Sequence, residues 1–186
     1  SLLQLAVPGT AIVIDLLTLA TAKKKESEGG SGEGGGEELL RDLMHEETLV
    51  KVGFGLAGDS ARLLGSHPWL AAAFREMTPV VEWHDLIQVA ATMVPKDAGG
   101  SEGSVEKAVL ARGLNAAVAL FLGAPLRKVQ QTSDWQSRPL SPAQLTYAAT
   151  DAVALVALAR RVARLVHPFQ AARDEEGGGE GVVSSP

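Results

Sequence analysis

The sequence predicts an α/β fold in which a mixed sheet is flanked by helices. Three observations carry this expectation. Strand-like runs come first, helix-like runs come later, and the longest periodic segment opens on a full set of helix-start residues. The first run, 2–7, reads Leu-Leu-Gln-Leu-Ala-Val, and the second, 11–16, reads Ala-Ile-Val-Ile-Asp-Leu. Pro8-Gly9-Thr10 between them is turn chemistry, so the two strands are expected to pair as an antiparallel hairpin.

Residues 23–38 are low in complexity: three lysines followed by Gly, Ser and Glu. Such a stretch buries too little apolar surface to offset its ordering entropy and reads as a flexible insertion. Helical spacing of Leu39, Leu40, Leu43 and Met44 then predicts a helix over 38–49, and 50–56 reads as a third strand. Short helices are expected over 59–64 and 68–74, followed by a strand running into a helix over 79–86. A Gly/Ser-rich loop covers 98–104, and 113–122 is a short apolar helix. The last helix is the best marked. Ser141 supplies an N-cap, Pro142 the first helical position and Gln144 the reciprocal half of a capping box. It should run to about Val166 and stop at His167-Pro168, leaving 171–186 as a disordered tail behind a single domain over 1–170.

Composition bounds the chemistry. The chain has 186 residues and is 46% hydrophobic, enough for one domain with a true core. Cysteine is absent, which excludes disulfides, thiolate metal sites and cysteine nucleophiles, and fits a reducing intracellular compartment. No apolar run reaches the roughly 20 residues needed to span a bilayer, so no membrane partner is expected. The formal charge of −5 gives no electrostatic hint of a nucleic-acid partner, although acidic sites are what metal cages need.

Tyr147 and Asp151 stand four residues apart on the capped helix and therefore share a face. A carboxylate there can hold a divalent cation, and a phenol beside it can orient a water. The plain alternative is a half-buried core tyrosine and a solvated acid, but Asp151 lies among Ala148, Ala149, Ala152 and Ala154, an unusual setting for surface decoration. Gly53-Phe-Gly-Leu-Ala-Gly58 formally matches the dinucleotide-binding fingerprint, with Glu76 about twenty residues on as a ribose-binding acid. It does not fall in the first βαβ unit. His45-Glu-Glu lacks the second histidine of a zinc-protease helix, and His84-Asp85 reads as the close of a strand.

Longer segments add a resemblance. Ser133-Asp-Trp-Gln-Ser-Arg-Pro-Leu-Ser-Pro-Ala-Gln-Leu-Thr-Tyr-Ala-Ala-Thr-Asp-Ala152 resembles the third motif of the ribonuclease D and Werner-type exonucleases, of the DEDD type with a tyrosine. Lys51-Val-Gly-Phe-Gly-Leu-Ala-Gly-Asp-Ser-Ala-Arg-Leu-Leu64 is similar to the second motif, and Gly113 to Lys128 resembles the helix and Gly-x-Pro-Leu turn before the third. The strand at 2–7 is similar to the one that follows the family's first motif. Together these cover about residues 1–166.

The resemblance implies a ribonuclease H-like three-layer fold and a 3′–5′ exonuclease. Such an enzyme removes nucleotides from single-stranded or 3′-ended nucleic acid with two divalent cations, Mg²⁺ or Mn²⁺. It assigns metal ligation to Asp59 and Asp151 and water positioning to Tyr147. Arg127, Lys128 and Arg138 flank the third motif and are candidates for phosphate contact, with the alternative that Arg138 caps or braces the loop around Trp135. The family's first motif, an Asp-x-Glu on the strand before 2–7, is missing from this sequence, and Asp15 does not replace it. Little or no activity is therefore expected of these 186 residues alone, and a catalytically inactive domain that binds nucleic acid or protein is the alternative.

Overall fold

The computed structural model describes residues 1–27, 35–93 and 113–177. The hairpin forms as its turn dictates. β1 (Leu2–Val7) and β2 (Thr10–Asp15) run antiparallel, with Leu3 opposite Ile14 and Leu5 opposite Ile12. Gly9 has φ +85°, a left-handed conformation that glycine adopts without steric cost. Because side chains alternate along a strand, Leu3, Leu5 and Ile14 reach the same core.

Helix α1 (Leu16–Ser27) follows directly, and α2 (Gly35–His45) comes after it. These helices correct the flexible-insertion reading of 23–38 at both ends, while 28–34 lie outside the described residues. The physical reason lies at the start of α1. The Asp15 carboxylate accepts the Leu17 N–H at 3.2 Å and the Thr18 hydroxyl at 3.0 Å, and the Lys and Glu residues downstream favour helix once it has begun.

β3 (Lys51–Gly53) and β4 (Val80–Glu82) are parallel, with Lys51 opposite Val80 and Gly53 opposite Glu82. The crossover holds α3 (Leu56–Ser66), a 3₁₀ turn (Pro68–Leu70) and α4 (Ala71–Phe74). Among the described residues the strands therefore form two separate two-stranded ladders, one antiparallel and one parallel, rather than one mixed sheet. The strand expected over 50–56 is cut short because Gly55 adopts φ +74° and turns the chain into α3.

Among the described residues three helices follow: α5 (Trp83–Met93), α6 (Leu114–Leu122) and α7 (Pro142–Gly177). The loop read at 98–104 lies outside the described residues. α7 continues past Pro168, against the expected stop, and takes in 171–177 of the expected tail; 178–186 are outside the described residues. An interior proline costs a hydrogen bond and about 3 kcal/mol. Gln170, Ala171, Ala172 and Arg173, all good helix formers, offset part of that cost.

The chain divides into two compact units, Ser1–Trp83 with Leu126–Val156, and His84–Pro125 with Ala157–Pro186. The first is built on Leu16, Leu40, Met44, Leu70, Ala73 and Phe74, all buried in one cluster. The second buries Ile87, Ala90, Ala117, Val118, Phe121, Leu158 and Val162. Among the described residues no helix is long and apolar enough to cross a membrane.

Candidate active site

Every side chain of the candidate site belongs to the first unit. The start of α7 is fixed by the capping box expected from sequence. Ser141 Oγ accepts the Gln144 N–H at 3.2 Å, and Gln144 Oε1 accepts the Ser141 N–H at 2.9 Å. Gln144, almost fully buried, also donates from Nε2 to Ser133 Oγ (3.2 Å) and to the Asp134 carbonyl (2.8 Å). One side chain thus anchors both the first turn of α7 and the loop in front of it.

Tyr147 and Asp151 follow on successive turns, both half-buried. Burial raises the Asp151 carboxyl above the usual carboxylate range. Burial, and then the neighbouring Asp151 charge, push the Tyr147 phenol above its ordinary value. Among the described residues the Asp151 carboxylate accepts no hydrogen bond and makes no ion pair. A partly desolvated oxygen donor with no partner suits a hard divalent cation, so this residue fits the metal the resemblance implies. The Tyr147 ring lies 5.9 Å from that of Trp135, tilted by 47°. Trp135 Nε1 donates to the Gln130 carbonyl at 3.0 Å, which holds the indole in place.

Asp59 is placed differently. It is exposed in the first turn of α3 and pairs with Arg62 at 3.1 Å. Among the described residues no group of three or more His, Asp or Glu side chains assembles to hold a metal. The fit is thus to individual ligands, and a complete cage is not formed by the described residues.

The entry to α3 contains a residue that sequence reading missed. Glu82, at the end of β4, accepts the N–H groups of Gly55 (2.7 Å) and Leu56 (2.8 Å) through its two oxygens, and the Trp83 N–H at 3.1 Å. These are the free amides at which a dinucleotide pyrophosphate would bind. A carboxylate of the chain already occupies them, which is the physical argument against the dinucleotide reading of 53–58. An acid at a strand end running straight into a helix was the available signal. Glu82→Gln should lower stability by about 1–2 kcal/mol, because its amide nitrogen must face a backbone donor. A urea midpoint unchanged from the parent protein would remove Glu82 from this role.

The expected phosphate contacts divide. Arg127 and Lys128 are exposed. Arg138 is engaged within the fold: Nε and Nη2 donate to Asp15 at 2.5 and 3.0 Å, and Nη1 donates to the carbonyls of Trp135 (3.0 Å) and Ser137 (2.7 Å). Arg138 holds the Asp15 carboxyl well below the usual carboxylate range, and the Leu17 N–H and Thr18 hydroxyl add to that effect.

The 3′–5′ exonuclease family model matches residues 2–166. An exonuclease mut-7 homolog of Homo sapiens is 31% identical over 180 residues, 95% of this chain and 19% of the relative. A 3′–5′ exonuclease of Arabidopsis thaliana is 29% identical over 117 residues, 63% of this chain and 34% of the relative. The chain therefore spans only a fifth to a third of the curated relatives it matches. Among solved structures, the EXO domain of Aedes aegypti Nibbler superposes with a TM-score of 0.64 at 20% identity, covering 91% of this chain and 72% of that one, which establishes the shared fold. The capped helix with its tyrosine and acid, and the strand-to-helix segment with its aspartate, thus lie within a stretch that the family model spans from end to end, and the chain belongs to the 3′–5′ exonuclease family.

Proposed function

We propose that this domain hydrolyses phosphodiester bonds from the 3′ end of single-stranded nucleic acid, with Asp151 and Asp59 as ligands for divalent cations. The observation that carries this reading is the half-buried Asp151 carboxylate, without a partner among the described residues, one turn from Tyr147. Bound cations would supply Lewis-acid stabilisation of the attacking and leaving oxygens. The chain's own residues do the remaining work. Because its pKa is raised, the Tyr147 phenol stays protonated at neutral pH, so it orients a water by hydrogen bonding rather than removing its proton. The Trp135 ring and the Gln144 bonds fix the helix turn from which that phenol projects. Arg127 and Lys128, exposed in the preceding loop, supply phosphate contacts, and the protein acts inside the cell.

One observation favours a second reading. No acidic trio is assembled among the described residues, and Asp59 is engaged with Arg62. That arrangement fits a domain that binds nucleic acid without cutting it.

Offered to the full-length protein, a 5′-labelled oligonucleotide of RNA, and one of DNA, separates the two. With Mg²⁺ or Mn²⁺ the hydrolytic reading expects a ladder of products shortening from the 3′ end, abolished by EDTA. Tyr147→Phe, which keeps the ring against Trp135, should slow the ladder by about a hundredfold. Retention of the labelled strand with no ladder in either metal would establish the binding-only reading.

A further inference from the structure

The hairpin and the loop before α7 are joined by an ion pair that neither the motifs nor the family match explains. Asp15 ends β2, and Arg138 lies 123 residues further on, in that loop. Their side chains are only 22% and 28% exposed. The two-point contact has the fork geometry that favours arginine over lysine. Four of the five N–H groups of Arg138 are used: two on Asp15, one on the Trp135 carbonyl and one on the Ser137 carbonyl. One N–H remains, so a two-point phosphate contact would have to break one of these bonds. Trp135, whose carbonyl is gripped, is the residue whose ring packs on Tyr147.

We propose that Asp15 is a positioning residue for Tyr147, acting through Arg138 and Trp135, and that Arg138 braces the site instead of binding phosphate. This rests on the reading of Tyr147 as the phenol that orients water. Asp15 also starts α1 through Leu17 and Thr18, so the latch ties the hairpin end, α1 and the loop before α7 together at one carboxylate. The Asp15 carboxyl stays ionised across the working pH range, so the latch does not open by titration.

The test compares Asp15→Asn, Arg138→Gln, Arg138→Lys and Tyr147→Phe in the full-length parent protein, with kcat and KM measured on one 3′-ended oligonucleotide. A brace predicts that Asp15→Asn and Arg138→Gln each lower kcat by about ten- to a hundredfold with KM little changed. The double variant should be no slower than either single one, and Asp15→Asn should add little in a Tyr147→Phe background. Arg138→Lys should be as slow as Arg138→Gln, because the ammonium keeps the charge but loses the fork. The inference is overturned if Arg138→Lys restores the rate, or if Asp15→Asn lowers KM by freeing a guanidinium for the substrate. A Tyr147→Phe protein at full rate would instead overturn the reading of Tyr147. A slow Tyr147→Phe protein beside a fully active Asp15→Asn one would overturn only the latch. Asn keeps one oxygen for the Leu17 N–H, and the Thr18 hydroxyl, which accepts as well as donates, can turn to take a hydrogen from the Asn Nδ2, so α1 retains its start in the Asp15 variant.

Discussion

Asp151→Asn is expected to lower kcat by at least about a thousandfold while changing the Kd for a 3′-ended strand by no more than about twofold. Substitution by an amide of the same shape removes the charge a cation needs and leaves the packing on α7 intact. The stability consequence has the opposite sign. The folded carboxyl has a raised pKa, so the unfolded chain gives up that proton at lower pH than the folded one. The metal-free protein is thus most favoured, at this group, below the unfolded value and loses that contribution as pH rises through the folded one. Asn escapes the loss, so Asp151→Asn should melt higher than the metal-free parent at neutral pH. Mg²⁺ should raise Tm in the parent alone. The proton competes with the cation for this carboxylate, so loss of activity on the acid side should move to lower pH as the Mg²⁺ concentration is raised. Cleavage retained by the Asn variant at the parent rate would end the assignment of Asp151 as a ligand.

Leu70→Ala carries the largest expected stability loss, about 2–5 kcal/mol. Leu70 closes the 3₁₀ turn, has no exposed surface and sits in the cluster with Leu16, Leu40, Met44, Ala73 and Phe74. Truncation there leaves a cavity bounded by several elements, and rigid helices cannot all collapse into it. Leu39 on α2 is 69% exposed and serves as the comparison: its alanine variant should stay within about 0.5 kcal/mol of the parent. Equal unfolding midpoints for the two variants would show that the core lies elsewhere.

What the sequence discloses is local, and what it conceals is mostly distant. Pro8-Gly9 announces the hairpin because a turn is decided by its own residues, and Ser141 with Gln144 announces α7 for the same reason. Helix α1 is hidden by composition: Lys and Glu repeats look like solvated chain, although Asp15 and Thr18 at its start form a readable cap. Pro168 reads as a stop because single-residue rules ignore the helix already built before it. From sequence Arg138 reads either as a phosphate contact or as a brace of the loop around Trp135; its bond to Asp15 is hidden, because that partner lies 123 residues away and no periodicity reports such a pairing. That Tyr147 and Asp151 share one helix face is legible through their i, i+4 spacing. The anchoring of α3 by Glu82 is not, since it depends on a parallel crossover closing.

The amide of Gln144 gives a rule for reading other chains of this kind. A helix start alone would accept either glutamate or glutamine at this position, since only one oxygen is needed to take the Ser141 N–H. Here the other end of the side chain must give hydrogen to Ser133 and to the Asp134 carbonyl. A carboxylate would set oxygen against oxygen at that carbonyl. A relative with glutamate there has a capped helix but an untied loop, whereas glutamine marks a helix whose cap also sets the lie of the loop. A single nitrogen therefore separates a secondary-structure signal from a tertiary one.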